Sequence, residues 1–176
     1  MWETAASAVR LLVLDVDGVL TDGRIVLDDR GVETKYFHVR DGQGLKLLQD
    51  SGIQVVLITG RRSEVVGHRA RELGIDEVHQ GVGDKVALLL QIIRRKGIEK
   101  EEVCVVGDDL PDLPMFQVAG MSVAVSDAAP ELREHATMVT KNRGGRGAVR
   151  EVCELILKAQ GKWTSSLSAY LPGDEM

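Results

Sequence analysis

A chain of 176 residues, 44% of them hydrophobic and 28% charged, has the length and composition of one globular domain with an ordinary core. Its formal net charge of −5 argues against a general nucleic-acid binder, because affinity for a phosphate backbone needs a basic face. Aromatic residues make up only 3%, so Val, Leu, Ile and Ala must fill the interior.

Taken in chain order, the opening Met-Trp-Glu reads as neither a signal peptide nor a membrane span, and the expected compartment is the cytoplasm. A first strand is predicted over Leu11–Val16, interrupted at its end by Asp15 and Asp17. From Asp22 to His38 comes a hairpin signal: Arg24–Leu27, a polar Asp-Asp-Arg-Gly turn, then Glu33–His38. Helix Gly44–Ser51, strand Gln54–Ile58, helix Ser63–Leu73 and strand Glu77–His79 follow. In the helix predicted over Lys85–Lys96, Val86, Leu89, Leu90 and Ile93 carry the spacing of a face packed on a sheet. The remaining elements are strand Val103–Gly107, helix Leu113–Val118, strands Ser122–Val125 and Met138–Thr140, and helix Ala148–Ala159. Cys104 and Cys153 lack metal-ligand spacing, and Cys104, inside an apolar run, reads as a buried free thiol.

Short apolar strands alternating with helices predict an α/β fold, a doubly wound parallel sheet covered on both faces. The expected organisation is one domain over residues 1–163, with the hairpin inserted at about 22–38 and a flexible tail over 164–176.

Ligands of such sheets bind beyond the carboxyl ends of the strands. Three segments bring polar residues to that edge: Asp15-Val16-Asp17-Gly18, Thr59-Gly60-Arg61 and Gly107-Asp108-Asp109. A single Asp-Gly pair reads as a solvated turn. Four carboxylates at one edge repel one another and read as a cation site, and hard oxygen donors suit magnesium. Thr59 and Gly60 offer a hydroxyl and an N–H to phosphate, and Lys85 could neutralise phosphoryl charge. Alone, each would be a capping threonine and an exposed helix-start lysine; together with the carboxylates they describe phosphoryl transfer.

The runs Asp15-Val-Asp-Gly-Val-Leu-Thr21, Thr59-Gly-Arg61, Lys85 and Gly107-Asp-Asp-x-x-Asp112 resemble, in order, the four motifs of the haloacid dehalogenase superfamily. The resemblance implies a Rossmann-like fold in which Asp15 attacks phosphorus as a covalent nucleophile and Asp17 protonates the leaving alkoxide, then activates water. It implies magnesium held by the Asp15 carboxylate, the Asp17 backbone carbonyl and Asp108, with Asp109 supporting that shell and Asp112 orienting Lys85. The stretch between Asp17 and the next helix is too short for a large cap domain, which places the chain in a capless branch.

Further markers, Val39-Arg-Asp-Gly-Gln-Gly44, Gly144-Gly-Arg-Gly-Ala-Val-Arg-Glu151 and Ala159-Gln-Gly-Lys162, resemble those of capless phosphatases acting on a phosphorylated sugar acid in lipopolysaccharide biosynthesis. These form homotetramers, and the resemblance implies that neighbouring hairpins cover each site, with Gly144–Gly147 lining its entrance. Arg61 and Arg150 are the implied partners of sugar or carboxylate groups. A related branch, acting on a nine-carbon sugar acid, has Glu at the position of Arg61. His68 and Asp84 receive no role.

Two rival classes share some of these features. A receiver domain needs its phosphorylated Asp on a later strand than the Asp15-x-Asp17 pattern occupies. A non-catalytic interaction domain would be expected to lose a costly carboxylate cluster. No nucleic acid and no membrane is expected as a partner.

Overall fold

In the computed structural model, which describes residues 2–171, a short helix α1 (Trp2–Ala8) leads into strand β1 (Leu11–Leu14). All four β1 residues are buried, because the strand is paired on both sides and covered on both faces. The chain then leaves the sheet for the hairpin β2 (Val26–Leu27) and β3 (Glu33–Thr34) before entering helix α2 (Val39–Asp50). Two strand–helix units follow, β4 (Gln54–Ile58) with α3 (Glu64–Leu73), and β5 (Glu77–His79) with α4 (Lys85–Lys96). Strand β6 (Val103–Gly107), helix α5 (Leu113–Phe116), strand β7 (Met121–Ala124), helix α6 (Pro130–His135) and strand β8 (Met138–Val139) complete the sheet. Helices α7 (Ala148–Ala159) and α8 (Trp163–Leu167) close the described chain.

The six-stranded sheet has the order β5-β4-β1-β6-β7-β8, every pairing parallel. Chain order runs outward from β1 to β5 on one side and from β6 to β8 on the other. The reversal therefore lies between β1 and β6, where open sheets of this type bind ligands.

Helix α4 has the bounds its sequence predicts because both ends are capped locally. Asp84 accepts from the Ala87 N–H at 2.9 Å, and Gly97 closes the far end at φ +62°, behind Arg94, Arg95 and Lys96.

Helix α2 starts at Val39 rather than at Gly44 as predicted. Its glycines permit close packing. A Cβ on Gly44 would lie 3.1–3.3 Å from atoms of Arg150 and Cys153 on α7. Asp41, buried in the same interface, accepts from the Arg150 N–H at 2.8 Å and so caps α7 from another helix.

Helices α1 and α6 were not predicted, although Pro130 at the first position of α6 is a start signal. Where a flexible tail was expected from residue 164, the structure has α8, tied back by Lys162 Nζ donating to Ser51 O at 3.1 Å. Gln43 Nε2 donates to the Tyr170 hydroxyl at 2.6 Å. The rest of that expected tail, residues 172–176, lies outside the described residues. Cys104 and Cys153 are buried free thiols, and among the described residues no helix is long and apolar enough to cross a membrane.

Candidate active site

Asp15 follows β1 directly, and its N–H continues the sheet ladder to Val106 O at 3.2 Å. It thus projects into the crevice between β1 and β6, where Asp108 follows the other strand. Lys85, at the start of α4, enters the same crevice. Its Nζ lies 3.2 Å from Asp15 Oδ1 and 2.7 Å from Asp112 Oδ1. The other Asp112 oxygen accepts from the Asp108 N–H at 3.1 Å.

Carboxylate oxygens of Asp15, Asp108 and Asp112 all lie within 4.8 Å of one another. Three carboxylates against one ammonium leave the group two charges short of neutral. Burial, then the charge of Asp112, raises the Asp15 pKa to about 6 against the pull of Lys85. Burial raises Asp108 to about 8, with Asp15, Asp112 and Asp109 adding to the effect. Burial works to lower Lys85, but the two carboxylates beside it prevail and raise it.

A hard dication fits this donor set. Among the described residues Asp108 has no cationic partner, and the Asp17 backbone carbonyl accepts no hydrogen bond. Two carboxylates and one carbonyl, with water for the rest, is the kind of shell magnesium takes. Asp112 lies within reach, yet both its oxygens are already engaged by Lys85 and the Asp108 N–H, so it serves as their anchor. Gly18 makes room for the shell: its φ is +89°, and a Cβ there would come within 1.9 Å of Asp108 Oδ2. Thr59, just past β4, is buried, and neither its hydroxyl nor the Gly60 N–H has a hydrogen-bond partner among the described residues. Both are available to an anion.

The Asp17 side chain belongs to a second cluster. Lys35 Nζ, from the segment after β3, lies 2.5 Å from Asp17 Oδ1 and 3.2 Å from Glu33 Oε1. Arg61 Nη1 lies 2.7 Å from Glu33 Oε1 and 3.6 Å from Asp17 Oδ2. Burial pushes the Glu33 pKa upward, but the Ser63 hydroxyl and the Arg61 and Lys35 cations beside it overcome this and hold the carboxyl at about 2.

A model of the haloacid dehalogenase-like hydrolases matches residues 75–152. The 3-deoxy-D-manno-octulosonate 8-phosphate phosphatase of Escherichia coli (strain K12) is 48% identical over 157 residues, 89% of this chain and 84% of that protein. The solved structure of the Moraxella catarrhalis phosphatase, in complex with magnesium, phosphate and KDO, matches with a TM-score of 0.94 at 43% identity, covering 96% of this chain and 97% of that one. The chain belongs to the 3-deoxy-D-manno-octulosonate 8-phosphate phosphatase family. The Yersinia pestis member also matches, with a TM-score of 0.91 at 46% identity over 92% of this chain and 88% of that one.

Against this family frame, the structure brings Asp15, Asp108, Asp112 and Lys85 into one crevice and sets the Asp17 side chain beside Arg61. Asp109 turns away, its Oδ1 accepting from the Leu110 N–H at 2.9 Å to cap the following turn. The four aspartates expected to crowd one edge are therefore divided: Asp17 is neutralised by Lys35 and Asp109 caps. Arg150 is not brought to either cluster. Its Nε donates to Glu154 at 2.7 Å, and its guanidinium lies 5.7 Å over the Trp163 ring. It lines a separate cleft of about 460 Å³ with His38, Arg40, Arg146 and Lys158.

Gly144 and Gly145 pack against the loop after β1. A Cβ on Gly144 would lie 1.7 Å from Gly18 O, and one on Gly145 2.3 Å from the Thr21 carbonyl carbon. Glu33 and Lys35 were missed in the sequence. The signal available was their two-residue spacing, which puts both on one face of the hairpin.

Proposed function

We propose that this chain is a magnesium-dependent phosphatase that hydrolyses 3-deoxy-D-manno-octulosonate 8-phosphate to KDO and inorganic phosphate, in the cytoplasm and for lipopolysaccharide biosynthesis. The observation that carries the reading is the Asp15–Lys85–Asp112–Asp108 crevice, short of positive charge at the sheet's switch point.

An Asp15 carboxylate oxygen attacks phosphorus and forms the aspartyl-phosphate while the bond from phosphorus to the sugar oxygen breaks. The Asp17 carboxyl gives its proton to the departing alkoxide. In the second half-reaction the Asp17 carboxylate takes a proton from water as that water attacks phosphorus, and Asp15 leaves with its bonding pair as phosphate is released. Lys85, the Thr59 hydroxyl and the Gly60 N–H bind the phosphoryl oxygens. Asp112 orients Lys85, and Asp109 shapes the turn that carries both Asp108 and Asp112. Asp15, the Asp17 carbonyl and Asp108 would hold the magnesium, which when bound neutralises carboxylate and phosphoryl charge.

We assign Arg61, 39% exposed at the rim, to the sugar-acid end of the substrate. Beside it lies a cleft of about 460 Å³ lined by Leu27, Val32, Glu33, Arg62 and Ser63. Arg150, engaged with Glu154, supports packing between α7 and α8 in this reading. The assembly we propose is a homotetramer in which neighbouring hairpins cover the site. Its support is the outer face of the hairpin, where Ile25, Leu27, Val32 and Tyr36 are all more than half exposed.

The test is kcat/KM for phosphate release, with magnesium, from KDO 8-phosphate, KDN 9-phosphate and simple sugar phosphates. Preference for the first is expected. A preference for KDN 9-phosphate would reassign the substrate, and no release from any phosphorylated sugar acid would leave a non-catalytic interaction domain. Sedimentation at assay concentration checks the assembly, and a fully active monomer would remove the trans-capping idea.

A further inference from the structure

The hairpin is built inside out. From Val32 to Phe37 exposure alternates residue by residue, yet Glu33 and Lys35 point inward while Val32 and Tyr36 point outward. Each of its strands is two residues long, and so small a ribbon is not stable by itself. Its inward charges join it to the loop after β1. The Lys35 side chain is 1% exposed, and an ammonium that deeply placed is costly unless paired; here Asp17 and Glu33 pair it. Arg61 balances the second carboxylate, so the four groups are neutral as a set.

We infer that Lys35 is a positioning residue for Asp17. It holds the Asp17 carboxyl group on the hairpin side of the crevice, apart from the Asp15–Asp108 pair, so that it meets the leaving oxygen. The inference rests on the reading of Asp17 as proton donor given above. Lys35 supplies the close contact, 2.5 Å from Asp17 Oδ1. Arg61 is a looser partner, 3.6 Å from Asp17, more exposed, and drawn to Glu33 at 2.7 Å. Without Lys35, Asp17 keeps only that long contact and is free to rotate away from the leaving oxygen.

The role predicts a dependence on the leaving group that a merely structural lysine lacks. The sugar alkoxide needs a proton to depart, whereas p-nitrophenolate does not. With kcat/KM, which reports the steps through P–O cleavage, Lys35→Met is expected to lose about 100-fold on KDO 8-phosphate and under about 3-fold on p-nitrophenyl phosphate. Lys35→Arg, which keeps the buried charge, should show the same contrast at about 10-fold, and it carries the test if the methionine variant does not fold. In an Asp17→Asn background, replacing Lys35 should add no further contrast. Equal losses on the two substrates would overturn the positioning role and leave Lys35 a structural residue. If Asp17→Asn itself shows no contrast, the assignment of Asp17 fails. If Asp17→Asn shows it and neither Lys35 variant does, only the present inference fails.

Discussion

Two charge clusters flank the loop after β1, and they differ in whether the protein completes them. Asp15, Asp108 and Asp112 meet a single ammonium, that of Lys85, and with all three ionised the group is two charges short of neutral. Asp17 and Glu33 meet Lys35 and Arg61, and that group closes on itself. The first stores repulsion that a dication relieves; the second keeps a carboxylate in place with no outside help. The contrast teaches that neighbouring aspartates two residues apart need not share an environment. Burial and the charge of Asp112 push Asp15 up to about 6, while the cations of the second cluster hold Glu33 at about 2.

The sharpest way to break this comparison is Asp15→Asn. Phosphate release should fall by at least about 10⁵-fold, because the amide is a poor nucleophile. Calorimetry at pH 7 without metal should find the variant at least as stable as the parent, since a repelled buried carboxylate is gone. Activity above a thousandth of the parent's would reject the covalent role.

The two clusters should also respond oppositely to pH. Asp15 and Asp108 have folded pKa values of about 6 and about 8, above their ordinary 3.8, so the folded state holds those protons more tightly. Their stabilisation is complete below pH 4 and is lost as pH rises through 6 and 8. In EDTA, stability should therefore decline across that window. Magnesium held at 100 times its pH 8 Kd should add about 3 kcal/mol at pH 8 and under about 1 kcal/mol at pH 5, where protons compete for the same oxygens. Equal increments at both values would contradict the unfinished-charge account.

Gly18→Ala tests the first cluster by shape alone. The new Cβ would collide with Asp108 Oδ2 at a φ of +89°, and isothermal titration should show magnesium bound about 10- to 100-fold more weakly. An unchanged affinity would remove Asp108 from the shell.

Glu33→Gln, the smallest expected effect, tests the second cluster. Its folded pKa, lowered to about 2 from 4.5, means stability present above pH 4.5 and lost as pH falls toward 2. The variant should lose about 1–2 kcal/mol at pH 7, with or without magnesium, and should unfold in acid less steeply than the parent. A loss that magnesium repairs would show the clusters to be one unit.

Much of this architecture is legible along the chain where the cause is local. Strands β4, β5 and β6 and helices α4 and α7 have the bounds that apolar runs and caps predict. Asp15, Thr59 and Asp108 could be singled out because each follows a strand directly, and Lys85 because it opens a helix. Helix α2 extends further toward the N-terminus than its sequence suggests because Gly42 looks like a loop residue until α3 is packed against it. Arg150 looks like a free cation on α7 until Glu154 and Trp163 are seen to engage it. Lys35 escaped because the hairpin inverts the usual rule, turning its charges inward.

The sequence by itself determined the parallel sheet, its strand ends and the residue types that stand at them, since periodicity, caps and turns act over a few residues. Which charges would meet was decided only by the tertiary structure. The hairpin of two-residue strands folds Lys35 and Glu33 back over Asp17, and the reversal of strand order brings Asp108 opposite Asp15. Coulomb energies depend on separation and burial, and neither is written in sequence distance: Asp17 and Lys35 are 18 positions apart in the chain yet 2.5 Å apart in space.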